Sequence, residues 1–400
     1  MEAKKQSILI KNVLLDSERT DILIEGNRFT SLSADPATPA DKVIDGTDKA
    51  ILPPFYNTHT HAAMTLLRGY ADDMPLDTWL REYIWPKEES LTPEDIYQGS
   101  VLAIREMIKS GCVFFNDMYF EVDQTIRAVA DMGVRACIGV TFMDAHSLAL
   151  RSEKESFISN WQDPTGGRIS IASAPHSIYT CSEETLRYAA SVARKAGIRI
   201  HIHLAETAPE VADCYRERGM SPVKYLDSIG LLGPDVIAAH CVHLDDEDIA
   251  LLAARGVTVS HCPCSNMKLG SGIFRHGAMA DAGVNVTIGT DGCSSNNNLD
   301  MREEMKFASL LAKCQGNPEC LPAPQALRWA TEAGARAFGI DAGVIAEGKL
   351  ADAILVDLRS ERMHPLYHLV SNWVYSAESA DIDTVICDGR ILMEGRQLLV

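Results

Sequence analysis

The stretch SEETLRYAASVARKAGIRIHIHLAET, residues 182–207, contains one complete unit of the fold. Apolar residues recur at helical spacing between Glu183 and Ala196, with Ser182 placed as an N-cap and Gly197 as a C-cap. A short apolar strand follows, Ile198 to His203, and polar side chains end it. A helix joined to a strand in this way is typical of an α/β protein.

The same alternation recurs through the middle of the chain. Short β-branched or apolar runs end in polar residues, and stretches of helical period separate them. Eight strands are predicted, within residues 50–61, Cys112–Asp117, Arg135–Met143, Arg168–His176, Ile198–His203, Asp235–His240, Val257–His261 and Val284–Asp291. Eight such units predict a closed (β/α)8 TIM-like barrel. The alternative is an open doubly wound sheet, but no G-x-G-x-x-G follows the first strand.

The two ends of the chain differ from the middle. Residues 7–31 and 350–400 read as short strands, with hairpin turns at Gly26-Asn27 and Asp388-Gly389. They predict one small β-sandwich domain built from both termini. Residues 1–53 and 350–400 would form this domain, and residues 54–349 would form the barrel. The segment from Met64 to Ser90 is longer than an ordinary βα loop and predicts a lid.

Composition limits the class of protein. The net charge of −18 over 400 residues argues against a nucleic-acid partner, which would require a basic surface. Eleven cysteines, an odd number scattered through apolar stretches, suit a reducing compartment. The first residues lead into a strand-like run without the apolar stretch expected of a signal peptide, and no apolar run is long enough to span a bilayer. We therefore expect a cytoplasmic protein without a membrane partner.

Polar residues cluster where the predicted strands end, and barrel enzymes carry their chemistry at that edge. A single buried histidine at one strand end is usually a hydrogen-bonded core residue. Packing alone does not explain so many strand ends that carry histidine or aspartate. The residues concerned are His59, His61, Asn116, Asp117, His176, His203, Glu206, His240, His261 and Asp291.

The H-x-H pair in NTHTH, residues 57–61, points to a metal. Side chains at i and i+2 of a strand face the same way, so His59 and His61 share one target. His203 adds a third imidazole, and Asp291 adds a carboxylate that serves as ligand and base. Three or four such ligands and a water make a catalytic zinc site. His201 shares a face with His203 but lies one layer lower, so we predict a core or supporting role.

Other catalytic arrangements are poorly supported. Cys262 and Cys264 have a C-x-C spacing without a second pair, which does not indicate structural zinc. The cytidine-deaminase signature H-x-E…P-C-x-x-C and the G-x-S-x-G elbow are both missing.

Six motifs resemble, in order, those of the amidohydrolase superfamily, and within it those of the 5′-methylthioadenosine/S-adenosylhomocysteine deaminases, in the branch that holds triazine hydrolases. The resemblance covers nearly the whole chain, including the split β-domain. It implies one divalent metal, zinc or alternatively Fe²⁺, Ni²⁺ or Mn²⁺, on His59, His61, His203 and Asp291. Binuclear relatives carry a lysine at the end of strand 4, which residues 169–176 lack. The motifs are NTHTHAAMTLLRG, APHSIYTCSEETL, HIHLAET, AAHCVHL, SHCPCSNMKLGSGI and GTDGCSSNNNLDM.

The resemblance implies hydrolytic deamination of an adenine nucleoside to its inosine analogue and ammonia. Glu88 and His176 are then substrate-binding residues, and Trp79 in the lid either faces the substrate or packs the lid down. We expect Glu206 to protonate a ring nitrogen. Asp291 and His240 would carry the proton from water to the leaving group. The alternative for Glu206 is a partner of a metal-bound histidine.

The substrate side departs from the family. Relatives that accept S-adenosylhomocysteine carry arginines near the end of strand 3, suited to a carboxylate. Residues 139–144 contain none, and Arg151 is the remaining candidate. The sequence therefore predicts a preference for 5′-methylthioadenosine, 5′-deoxyadenosine or adenosine.

Two other functions compete with this prediction. One is hydrolysis of another N-heterocycle, such as a triazine, guanine or pterin. The other is a non-enzymatic binding protein, which the intact set of four ligands disfavours. A homo-oligomer is compatible with the sequence.

Overall fold

The computed structural model describes residues 6–400. Its strands, labelled in chain order, are β1 (Ser7–Leu15), β2 (Glu18–Glu25), β3 (Arg28–Ser31), β4 (Lys42–Asp45), β5 (Lys49–Leu52), β6 (Phe55–Thr60), β7 (Cys112–Tyr119), β8 (Arg135–Phe142), β9 (Ile169–Pro175), β10 (Arg199–Leu204), β11 (Val236–His240), β12 (Thr258–His261), β13 (Asn285–Ile288), β14 (Ala353–Asp357), β15 (Ile382–Cys387), β16 (Arg390–Glu394) and β17 (Gln397–Leu398).

Helices follow most of the barrel strands and cover the outside of the sheet. The longer ones are Pro93–Lys109, Val122–Met132, Leu148–Ser159, Glu183–Ala196, Ala208–Arg218, Pro222–Ser228, Asp246–Arg255, Met301–Cys314, Ala323–Ala330 and Leu369–Tyr375. Short helical turns are Ala62–Leu67, Leu76–Thr78, Trp79–Ile84, Trp85–Glu88, Pro263–Lys268, His276–Asp281, Glu332–Ala337, Glu361–Met363 and Ser379–Asp381. The helix Glu183–Ala196 has the predicted caps, because Ser182 accepts the Thr185 N–H and Gly197 adopts a φ of 67°.

Strands β6 to β13 form a parallel sheet of eight in chain order within residues 6–400. The barrel closes between its last and first strands, where the Asp291 N–H donates to the His59 carbonyl at 3.0 Å. This approach requires Gly289, because a Cβ there would lie 2.9 Å from the Cβ of His59. The predicted (β/α)8 barrel is confirmed.

The remaining described strands form one mixed sheet from both chain ends, in the order β17-β16-β15-β14-β5-β1-β2-β3, with β4 beside β1. The predicted turn at Asp388-Gly389 joins β15 to β16, with φ values of 53° and 71°. It touches the Gly26-Asn27 turn, since Asn27 Nδ2 donates to Asp388 Oδ1 at 3.0 Å. The sheet has its own core, which includes Ile8, Ile22, Phe29, Ile51, Leu355 and Ile386.

A buried ion pair joins the two sheets. Arg135 begins β8, and its Nε donates to Asp352 Oδ2 at 3.0 Å. Asp352 also accepts from the Tyr56 hydroxyl at 2.7 Å, while the Arg135 guanidinium reaches Asp388 at 2.6 Å. Both side chains of the Arg135–Asp352 pair are almost fully buried, so the small sheet is fixed against the base of the barrel.

Two predicted strand boundaries were wrong. The run 50–61 is two strands, Lys49–Leu52 in the small sheet and Phe55–Thr60 in the barrel, because the intervening Pro53-Pro54 pair lacks the N–H groups that a ladder requires. The last barrel strand ends at Ile288 rather than Asp291, because Asp291 turns out of the strand with a φ of 61°. The domain divisions at 53/54 and 349/350 stay predictions.

No helix within residues 6–400 is both long enough and apolar enough to cross a membrane. All eleven cysteines fall in that range and are free thiols.

Candidate active site

Five side chains converge at the C-terminal edge of the barrel. Ligand atoms of His59, His61 and Asp291 lie within 4.8 Å of one another, and so do those of His59, His203 and His240. Asp291 Oδ1 is 3.3 Å from His59 Nε2 and 3.2 Å from His61 Nε2. The Nε2 atoms of His61 and His203 are 3.3 Å apart. The predicted ligands thus meet at one point.

The second nitrogen of each imidazole is engaged away from that point. His61 Nδ1 donates to the Met118 carbonyl at 2.5 Å, and His203 Nδ1 donates to the His176 carbonyl at 2.8 Å. A carbonyl only accepts, so these contacts fix the proton on Nδ1. Nε2 is therefore the ring atom that faces the centre.

His59 and His240 follow the same pattern with side-chain acceptors. His59 Nδ1 lies 2.9 Å from His201 Nε2, and His240 Nδ1 lies 2.8 Å from the side-chain oxygen of Asn266. His59 Nε2 is buried and makes no hydrogen bond to any described residue. Such an atom fits a metal ligand, because a buried polar atom otherwise requires a partner. Three or four nitrogen and oxygen donors also match zinc chemistry.

The electrostatics of the cluster depend on burial and on Asp291. Burial lowers the pKa of His59 to about 4. It also acts to lower the pKa of His61, but the adjacent Asp291 carboxylate outweighs it and raises that pKa to about 9. Burial would raise the pKa of Asp291, whereas His59 and His61 hold it well below its usual range. The carboxylate is therefore ionised.

Asp291 is oriented by the loop that carries it. Its Oδ2 accepts from the hydroxyls of Ser265 at 2.6 Å and Ser295 at 2.8 Å, and its Oδ1 accepts the Gly292 N–H at 2.8 Å. The left-handed φ of a non-glycine residue is costly and persists only where surrounding contacts hold it. These three hydrogen bonds hold the carboxylate toward the imidazoles.

Glu206 and His240 stand beside the cluster. Glu206 Oε2 lies 3.9 Å from His240 Nε2, and both side chains are almost fully buried. Burial raises the pKa of Glu206. A buried carboxyl with a raised pKa next to an imidazole is suited to proton transfer near neutral pH.

A pocket opens above these residues, and most of the predicted substrate contacts line it. Its wall includes Glu88, His176, Trp79, Glu206 and His240. Glu88 Oε1 makes no hydrogen bond to any described residue, and burial raises the pKa of Glu88 to about 7. The Trp79 indole N–H donates to the Ala71 carbonyl at 3.0 Å. Its ring therefore lines the pocket while its N–H anchors the lid segment.

Comparison with known proteins now identifies the family. The model of the amidohydrolase family matches residues 50–392. The chain belongs to the amidohydrolase family. It is 48% identical to the 5′-deoxyadenosine deaminase of Methanothermobacter thermautotrophicus, over 99% of this chain and 95% of that protein. It is also 48% identical to the 5-methylthioadenosine/S-adenosylhomocysteine deaminase of Pelotomaculum thermopropionicum, over 95% and 89%.

A solved structure gives the same architecture. The crystal structure of an adenosine deaminase from Xanthomonas campestris, with bound zinc, superposes with a TM-score of 0.92 at 34% identity. The match covers 99% of this amidohydrolase and 94% of that chain.

One predicted substrate residue is set back from the pocket of this amidohydrolase. Arg151 is absent from the described residues that line it; its guanidinium lies 3.5 Å from the Met143 carbonyl and 3.6 Å from Asp144. Lys154, three residues further along the same helix, was not predicted. Its Nζ donates to the Thr141 carbonyl at 2.7 Å and lies 3.3 Å from His146 Nδ1. The i, i+3 spacing from Arg151 could have revealed it.

The side chains of three other strand-end residues of this amidohydrolase make contacts outside the pocket. His261 lies 3.1 Å from His276 and stacks on Phe274, behind the residues that line the pocket. Asn116 donates to the Thr58 carbonyl at 2.9 Å, and Asp117 accepts the Ala62 N–H at 2.7 Å. These three side chains therefore make their contacts within the barrel rather than in the pocket.

Proposed function

We propose that this amidohydrolase is a metal-dependent deaminase of adenine nucleosides, which converts 5′-methylthioadenosine, 5′-deoxyadenosine or adenosine to the inosine analogue and ammonia. The observation that carries the proposal is the placement of Glu206, a buried carboxyl 3.9 Å from His240 and beside the imidazole cluster. Relatives at 48% identity are named for this reaction on such nucleosides.

His59, His61, His203 and Asp291 would hold the metal, as one divalent ion per chain. Zinc is the expected ion, because three imidazoles and a carboxylate suit it. When bound, it supplies Lewis-acid activation of water at neutral pH. Fe²⁺, Ni²⁺ and Mn²⁺ are the alternatives that metal analysis would distinguish.

The protein's own residues move the protons. Water adds to the purine carbon that bears the amino group, and the C–N bond then breaks to release ammonia. Glu206, whose pKa is raised by burial, donates a proton to the adjacent ring nitrogen. Asp291 and His240 accept the first proton that water loses and pass it to the departing nitrogen. The proton of the new hydroxyl returns to Glu206 as the carbonyl of the product forms.

Glu88, His176 and Trp79 form the substrate side of the pocket. Glu88 has an unpartnered buried oxygen to accept a ribose hydroxyl, and His176 lines the same pocket beside His203. A second cavity of about 590 Å³ adjoins the pocket and shares Glu88 with it. That volume gives room for a 5′-substituent, which a free base would not use.

The preference for substrates without a carboxylate rests on the end of β8. Arg151 lies behind Met143 and beside Asp144. The three N–H bonds of Lys154 are matched by the Thr141 carbonyl, the Thr141 hydroxyl and His146. The Lys154 cation is therefore engaged. Arg151 is set back from the pocket, although its Nε has no hydrogen-bond partner among the described residues, so we place Arg151 at the margin of the substrate site.

A substrate screen tests the function. Purified, metal-analysed protein is assayed for ammonia release with adenine nucleosides, S-adenosylhomocysteine, free bases, a triazine and a pterin. We expect turnover of the three uncharged nucleosides and a higher KM for S-adenosylhomocysteine. Turnover of a triazine or pterin without turnover of any nucleoside would overturn the proposal. Comparable S-adenosylhomocysteine turnover at an equal or lower KM would overturn the preference alone.

A further inference from the structure

Glu210 is a buried carboxyl that the proposed reaction does not use. It lies in the first turn of the helix Ala208–Arg218, three residues after the N-cap Thr207. The Thr207 hydroxyl accepts the Glu210 N–H at 3.4 Å. In a capping box, the carboxylate at this position would reach back to the N-cap N–H. The carboxylate of Glu210 instead binds backbone groups that precede the N-cap.

The two oxygens of Glu210 reach past the cap into the turn after β10. Oε1 accepts the Ala205 N–H at 2.9 Å, and Oε2 accepts the Glu206 N–H at 2.8 Å. Successive N–H groups that point at one anion form a nest, which a carboxylate fills with both oxygens. The carboxylate of Glu210 thus binds the backbone of the residue that donates the proton.

The turn that Glu210 holds is strained. Ala205 has a φ of 49°, a left-handed conformation that is costly for a residue other than glycine. The Ala205 carbonyl is also engaged, since it accepts the Val242 N–H at 3.0 Å and the His243 N–H at 2.9 Å. Both ends of the peptide unit are therefore held, one by Glu210 and the other by the loop after His240.

We infer that Glu210 is a positioning residue, which fixes the Ala205–Glu206 turn so that the Glu206 carboxyl faces the substrate ring. The inference rests on the proposed function, because it takes Glu206 as the proton donor. A small displacement of a catalytic group lowers the rate strongly while binding is preserved. For this role the two acceptor oxygens of Glu210 matter more than its negative charge. A glutamine side chain of the same size has only one acceptor oxygen.

The test is Glu210→Gln, which keeps the volume and replaces one acceptor with a donor. We expect kcat for 5′-deoxyadenosine to fall about 10- to 100-fold with KM changed less than about 3-fold. Metal content should stay near that of the wild type, and Tm should fall by only a few degrees, because one buried N–H loses its acceptor. Glu217→Gln, on the exposed face of the same helix, is the matched control and should change none of these values.

Two further measurements separate positioning from general destabilisation. Because Glu210 acts through Glu206, the double variant Glu206→Gln/Glu210→Gln should be no slower than Glu206→Gln alone. Hydrogen exchange in peptides covering residues 204–207 should quicken in Glu210→Gln, and the rest of the barrel should be unaffected. Additive losses of kcat, or unchanged exchange in that turn, would overturn the inference while the wild type remains active. Wild-type protein without nucleoside turnover would overturn the proposed function, and this inference with it.

Discussion

The Nδ1 atom of His59 lies 2.9 Å from the Nε2 atom of His201. The two H-x-H motifs therefore meet through one hydrogen bond, in which a proposed metal ligand donates to a histidine behind it. His201 is fully buried, and burial holds its pKa well below the ordinary value. A neutral His201 with its proton on Nδ1 accepts the hydrogen bond from the His59 Nδ1–H, which leaves His59 Nε2 to face the proposed metal.

Replacing His201 should weaken the metal site without removing a ligand. We expect His201→Leu to lower zinc affinity about 10- to 100-fold, since the group that orients a ligand contributes on that scale. His201→Gln, which retains an acceptor, should lose less. Competition with a chromogenic chelator measures the change. His276→Leu breaks another buried histidine pair and should leave zinc affinity unaltered; equal losses in both variants would contradict the assignment.

Removal of the Glu206 proton should slow the chemical step and leave substrate binding largely unchanged. Glu206→Gln is expected to reduce kcat about 100- to 10,000-fold, the range for a lost general acid. Metal content should match the wild type, because Glu206 is outside the proposed ligand set. Steady-state kinetics with metal analysis checks both. A variant that loses its metal instead would show that Glu206 supports a ligand.

Glu88 should distinguish a nucleoside from a free base. We expect Glu88→Ala to raise KM for adenine nucleosides about 10-fold or more, because the hydrogen bond from a ribose hydroxyl to the buried carboxyl is lost. The KM of any free base that the enzyme accepts should be unchanged. Glu82→Ala, an exposed residue of the same lid segment, is the control. Unchanged nucleoside KM in Glu88→Ala would remove the ribose contact from the proposal.

Buried carboxyls should make stability depend on pH. Burial raises the pKa of Glu304 to about 8, despite hydrogen bonds from Cys264 and Asn296 that lower it, whereas an unfolded glutamate titrates near ~4.3. Between those values the folded protein binds more protons than the unfolded chain, so the free energy of unfolding falls as pH rises. Glu304→Gln should flatten this slope in urea titrations between pH 5 and about 8. Glu303→Gln, the partly exposed neighbour, should leave the slope intact.

The stability of the protein should depend on Arg135, which connects the barrel to the small sheet. Arg135→Met leaves the Asp352 carboxylate buried without its cation, which typically costs about 3–5 kcal/mol. Chemical denaturation measures the loss. Breaking the exposed Arg187–Glu183 pair by Arg187→Met should have little effect. A similar loss in the two variants would show that the buried pair has no special role.

Strand periodicity and strand order predicted which side chains meet at the C-terminal edge of the barrel. His59 and His61 share a face because they are two residues apart, and parallel strands bring their ends to one edge. The turn at Asp291 was harder to predict, because a left-handed φ at aspartate has no clear sequence signal. Glu210 was missed for a different reason: Thr207-x-x-Glu210 reads as a capping box, and its hydrogen bonds depend on the path of the preceding turn.

The pairing of β5 with β14 has a consequence for biosynthesis. Strand β5 ends at Leu52, and its partner begins at Ala353, so about 300 residues must leave the ribosome before the two can meet. Until then the apolar strands near the N-terminus have an unpaired edge, which favours association with other chains. The barrel is therefore expected to assemble first, and the last strands to emerge complete the sheet that covers those edges.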